Sequence, residues 1–67
     1  MNRLMTPDEV ASKLRVSKTF VMSALNSGEI PAVRFGRDWK IDEDQLHDWF
    51  KELAVTQAKS RRRENND

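Results

Sequence analysis

Cysteine is absent from the 67-residue chain. That excludes disulfide staples and thiolate metal sites. A domain this small must then hold together by efficient packing or by self-association. Histidine occurs once, at His47, so no histidine cluster can form. Lying among the acids of the last predicted helix, His47 reads as a surface residue rather than a catalytic or metal-binding one. The only glycines are Gly28 and Gly36; each has a turn to make, and neither belongs to a Gly-rich phosphate loop. No apolar run approaches the roughly 20 residues that span a bilayer, and residues 1–20 hold no apolar signal-peptide core. No metal, cofactor or membrane contact is expected, and the expected compartment is the cytoplasm.

The net charge of +1 is bland, but its distribution is not. Residues 1–42 carry seven Lys/Arg and five Asp/Glu, residues 43–55 one Lys and four acids, and residues 56–67 four Lys/Arg and two acids. Acids gather on the last predicted helix, bases in the middle and the tail. Separation of this kind can give a nearly neutral protein one positive face.

Three helical segments are legible. Thr6 is an N-cap, Pro7 suits the first helical position, and Glu9 completes a Thr-x-x-Glu capping box. Leu4 or Met5 stands where a hydrophobic staple would form. Val10, Ala11 and Leu14 make an apolar stripe, and the spacing predicts a first helix over 7–14. "RVS" is only long enough for a turn. Ser17 caps a second helix with Val21, Ala24 and Leu25 on one face and Phe20 beside it, closed by Gly28 as a glycine of positive φ. Two short helices joined by three residues make a helix-turn-helix, and Pro31 blocks continuation of the second. Asp42 and Gln45 suggest another capping box. Leu46, Trp49, Phe50 and Leu53 then form the strongest helical stripe in the chain, and Trp49 and Phe50 are expected in the core. The third helix is expected from about 43 to 54 or a little beyond. Together with the β-hairpin described next, these elements are expected to make one domain over 1–55, mainly α with a small β-hairpin, in the order α-α-β-β-α. Residues 56–67 are expected to be a frayed helix end and a disordered basic tail.

The hairpin is "AVRFGRDWKI", 32–41. Val33, Phe35, Trp39 and Ile41 share one apolar face if the loop is Gly36-Arg37-Asp38. Arg34 and Lys40 then share the other face, with Arg37 at the tip. A two-residue Gly36-Arg37 turn suits glycine better, but it pairs Phe35 with Asp38 and spoils the apolar face. The odd-length loop is the expectation.

Catalysis is disfavoured. Asp8/Glu9, Asp42/Glu43/Asp44 and Asp48/Glu52 read as helix-start charges or a solvated face, and so short a chain has little volume for a pocket. Nucleic-acid binding fits better. The second helix offers Lys18, Thr19, Met22, Ser23 and Asn26 on its outer face, types that reach phosphates and base edges. Ser17 and the helix-start N–H groups form a natural phosphate site. Against this stands the plain reading of a solvated surface helix. Arg34, Arg37 and Lys40 on a ribbon beside that helix are what a DNA-binding wing needs. Met22 is expected to meet a thymine methyl or a protein. Lys59, Arg61, Arg62 and Arg63 either add phosphate affinity or solubilise the tail.

Residues 4–50 resemble the excisionase-type, MerR-like winged helix-turn-helix family. The resemblance rests on the Thr-Pro-x-Glu-x-Ala opening, the Val-Ser start of the second helix, and "SGEIPAVRFGRDWKI". It implies a small bacterial or phage protein that binds double-stranded DNA at the nucleoid, as a recombination directionality factor or a transcriptional regulator. It further implies side-by-side copies on DNA and contact with a recombinase or transcription machinery. Ser17, Lys18, Thr19, Met22 and Ser23 match the family's recognition-helix positions, and Arg34, Arg37 and Lys40 its wing. Met22-Ser23 departs from the aromatic or basic pair often found there. The long coiled coil and effector domain of full MerR regulators have no counterpart in this sequence, so no small-molecule ligand is expected. The alternative is a protein-interaction module on the same fold, using Met22 and the acidic third helix.

Overall fold

The computed structural model describes residues 3–65. Its elements are β1 (Leu4–Met5), α1 (Pro7–Leu14), α2 (Lys18–Asn26), β2 (Val33–Phe35), β3 (Asp38–Asp42) and α3 (Glu43–Asn65). This is the winged helix-turn-helix order with one short strand in front of it.

Capping fixes both ends of the helix-turn-helix. The Glu9 N–H donates to Thr6 Oγ1 at 3.2 Å, and the Thr6 N–H donates to Glu9 Oε1 at 2.9 Å. Two donors that a helix start leaves unpaired are thereby satisfied. Arg3 adds an ion pair to Glu9 Oε2 at 2.7 Å. Together these hold the Glu9 carboxyl below its ordinary value of 4.5; the Thr6 backbone hydrogen bond is the largest cause, and it outweighs an opposing desolvation. At the far end Arg15 adopts φ 60°. Its N–H donates to Ser12 O at 3.3 Å, and the Val16 N–H donates to Ala11 O at 3.0 Å. The end of α2 repeats this pair of bonds, Gly28 N–H to Leu25 O at 3.2 Å and Glu29 N–H to Ala24 O at 2.9 Å, with Gly28 at φ 82°. These are Schellman closures. Glycine makes the second without strain, whereas Arg15 carries the left-handed cost of an L residue, about 1–2 kcal/mol.

The strands form one antiparallel sheet in the order β1-β3-β2. β1 pairs Leu4 with Asp42 and Met5 with Ile41, so Leu4 and Met5 serve as a sheet edge. The wing register differs from the expected one. Val33 pairs with Lys40, Arg34 with Trp39 and Phe35 with Asp38, so the loop is the two-residue Gly36-Arg37 turn. Gly36 has φ 64° and Arg37 has negative φ, the signs of a type II′ turn, whose twist matches that of the flanking strands. Turn geometry therefore overrides the apolar alternation. Arg34 shares a face with Trp39 and Ile41, while Val33 and Phe35 share the opposite face with Asp38 and Lys40. The expected pairing of Arg34 with Lys40 on one face is lost.

The core joins Met5, Val10, Ala11, Val21, Ala24, Leu25, Ile30, Ile41 and Leu46, with Leu14, Met22, Ala32, Trp39 and Trp49 packed around it. Each large buried side chain contributes about 1.5–3 kcal/mol of apolar burial. β3 is the keel: it packs against α1 and α3 while pairing with both other strands. Lys13 Nζ, 3.6 Å from Glu43 Oε2, ties α1 to the start of α3.

α3 departs from expectation twice. Leu46 is buried and Trp49 half-buried, but Phe50 is 51% exposed and Leu53 is also exposed. The core placement of Phe50 is thus corrected: a stripe identifies a helix face, and the remainder of the domain covers only its first turns. The helix also continues to Asn65, where the sequence predicts fraying and disorder. Gln57, Ala58, Lys59 and Arg61 are all good helix formers, so the backbone can run on without apolar support. From Phe50 to Arg62 every residue but Ala58 is exposed.

Candidate nucleic-acid interface

The start of α2 and the wing face each other across an open cleft of about 340 Å³. Thr6, Pro7 and Asp8 form one wall, Lys18 and Met22 of α2 another, and Arg37, Asp38, Trp39 and Lys40 the third. This proximity follows from the core. Val21 and Leu25 seat α2 on α1, and Trp39 and Ile41 seat the wing on the same cluster. Three cations and two carboxylates line the cleft, leaving it positive.

Four of the residues singled out in the sequence converge here: Lys18, Met22, Arg37 and Lys40. Lys18 Nζ lies 3.3 Å from Asp8 Oδ1, with both side chains largely exposed. An exposed pair of this kind is worth little, so Lys18 can exchange Asp8 for another anion. Met22 is half-buried and packs against the core. It is a half-buried part of the cleft wall, not part of the exposed outer face expected for it. Arg37 is exposed at the turn, and Lys40 is half-buried beside it.

The remaining residues take other positions. Thr19, Ser23 and Asn26 are exposed on the outer face of α2. Ser17 caps the helix, its Oγ accepting from the Phe20 N–H at 3.1 Å. Arg34 turns back on the hairpin: its guanidinium lies 5.7 Å from the Trp39 ring centroid, and its Nε donates to Gly36 O at 2.9 Å. It thus braces the wing, a cation–π contact of about 0.5–1 kcal/mol at an exposed site. Lys59, Arg61 and Arg62 are exposed on the last turns of α3; the Arg63 side chain lies outside the described residues. Among the described residues, none of α3 lines the cleft. Sequence reasoning missed Asp8 and Asp38 as members of the cleft. Each lies beside a recognised feature, the capping box and the wing tip, but only the fold brings Asp8 to Lys18 and both carboxylates into one cleft.

A family model described as a helix-turn-helix domain matches residues 4–54. The chain belongs to this family. The excisionase-type helix-turn-helix is the branch that the opening and wing motifs resemble, and the match covers both. Two relatives, from two strains of Mycobacterium tuberculosis, each named "Putative DNA-binding protein", are 44% identical over 49 residues, 73% of this chain. The aligned stretch spans 63% of their length. The "Uncharacterized protein YvgK" of Bacillus subtilis is 36% identical over 52 residues, 78% of this chain and 17% of its own. No solved structure matches the chain. Among the described residues, no helix is long and apolar enough to cross a membrane.

Proposed function

We propose that this helix-turn-helix domain binds double-stranded DNA, with α2 in a major groove and the wing on the adjacent backbone or minor groove. The observation that carries the reading is the exposed polar face of α2, Thr19, Ser23 and Asn26, standing beside a cationic cleft shared with the wing. Helix-turn-helix proteins present such a face to base edges, and cations beside it hold phosphates and fix register. The names of the mycobacterial relatives support the same reading. Lys18, Arg37 and Lys40 would take phosphates. Ser17 and Met22 would flank the groove, with Thr19, Ser23 and Asn26 at base edges. Arg34 would orient the wing. The role is binding at equilibrium, without a chemical step.

The finer reading is a sequence-preferring bacterial or phage protein at the nucleoid, acting as an excisionase-like directionality factor or a transcriptional regulator. A single short module binds weakly and gains from adjacent copies on one duplex. The exposed apolar side chains of α3, Phe50, Leu53 and Val55, favour an added contact with a recombinase or a transcription protein. Replacing Phe50, Leu53 and Val55 with polar residues would then abolish the biological output while leaving DNA binding intact.

Fluorescence anisotropy of labelled duplexes across a salt series tests the reading. Neutralising about four to six phosphates gives a slope of log affinity against log salt near −4 to −5. Arg37→Ala should weaken all duplexes alike and flatten the slope by about one. Binding that ignores salt, or that survives charge reversal at both Lys18 and Arg37, contradicts it.

A further inference from the structure

The two-residue turn leaves an apolar surface that the fold does not use. Val33 is 56% exposed and Phe35 61% exposed. The sheet's packing is done by the other face, through Trp39, Ile41 and Met5. The register puts Phe35 directly across from Asp38, and Val33 across from Lys40. Asp38 and Lys40 both line the cleft beside α2. The exposed ring therefore shares a strand face with Asp38 and Lys40, just outside the cleft lining, one residue from the turn and two from Arg37. Arg37 and Lys40 bracket Asp38 in sequence, so the wing tip remains positive.

We propose that Phe35 is a DNA-contacting residue, packing its ring on deoxyribose edges at the minor-groove wall beside the phosphates met by Arg37. This rests on the DNA-binding reading above. A duplex backbone alternates anionic phosphates with apolar sugar edges. A surface with a large apolar side chain flanked by two cations complements that alternation. Apolar side chains are established minor-groove contacts, and contact with sugars carries no sequence information. Phe35 thus adds affinity to every site alike, without releasing counterions.

The test is a titration of two unrelated duplexes over a salt series with wild-type protein, Phe35→Ala, Phe35→Leu and Arg37→Ala, with thermal unfolding of each variant. Covering the exposed part of one Phe ring corresponds to about a tenfold change in affinity. Phe35→Ala should weaken both duplexes by about that factor with an unchanged salt slope and an unchanged melting temperature. Phe35→Leu should recover most of the loss, while Arg37→Ala flattens the slope. Equal binding by Phe35→Ala and wild type overturns the inference alone. A loss accompanied by an equally clear fall in melting temperature overturns it too, by assigning Phe35 a structural role. So does a variant that binds single sites normally but no longer self-associates, which would make this face a contact between copies. A wild type that binds neither duplex overturns the DNA-binding reading together with this inference.

Discussion

α2 and the wing meet at one cleft but present opposite surfaces. α2 turns Val21, Ala24 and Leu25 inward and shows solvent the polar, uncharged Thr19, Ser23 and Asn26, with Lys18 and Phe20 exposed at its start. The wing turns Trp39 and Ile41 inward and shows Val33 and Phe35, with Arg37 at its tip. Hydroxyls and amides have directional donors and acceptors, the requirement for distinguishing base pairs. Charge and apolar area have no such directionality; they position a duplex without reading it. Under the proposed function the outer face of the helix supplies preference, while the wing, with Lys18 at the helix start, supplies affinity.

The largest expected effect separates the wing's two faces. Ile41 is fully buried at the centre of the sheet, and Ile41→Ala should cost about 2–5 kcal/mol of stability in a denaturant titration. Phe35→Ala, on the opposite face of the same hairpin, should stay within about 0.5 kcal/mol. A large loss from Phe35→Ala would erase the distinction between the faces.

A smaller effect separates helix from wing. The double substitution Thr19→Ala and Ser23→Ala should flatten the spread of affinities over a panel of duplexes by about 1 kcal/mol. Arg37→Ala should lower the whole panel without reordering it. A reordering by Arg37→Ala would mean that the wing reads bases or groove shape.

At the start of α1, where Thr6 joins the cleft wall, Thr6→Ala should cost about 1 kcal/mol of stability through the lost cap. Glu9 gives this site a pH signature. Its folded pKa is lowered, so its contribution is present above the unfolded value and lost as pH falls below about 4.5 through the folded pKa. Glu9→Gln should therefore be less stable than wild type at neutral pH and lose less on acidification, as read by melting temperature against pH.

The helical half of the domain was legible because local chemistry specifies it. Thr6, Ser17 and Gly28 each satisfy backbone groups within a few residues of themselves, and short-range rules cover such bonds. The wing depended on a competition between two local rules. Alternation of Val33, Phe35, Trp39 and Ile41 called for an odd loop, and the turn preference of Gly36 called for an even one. The turn prevailed because the core needs only Trp39 and Ile41 from this hairpin. β1 left no periodic signal, since two residues cannot show one. Phe50 illustrates a further limit: its stripe is evident in sequence, but whether anything covers it is a tertiary fact. At the cleft, Lys18, Arg37 and Lys40 were recognisable as outward cations. That Arg34 folds back on Trp39, and that Asp8 pairs with Lys18, follows only from the register and from the packing of α1 against α2.

The most direct test of the central claim is a titration of isotope-labelled protein with a generic duplex at low salt, following backbone amide shifts. The account predicts that changes concentrate in Ser17–Ser23 and Arg34–Lys40, the segments that supply two of the three walls of the cleft. Shifts confined to Lys59–Arg63, or no shifts at all, would contradict it.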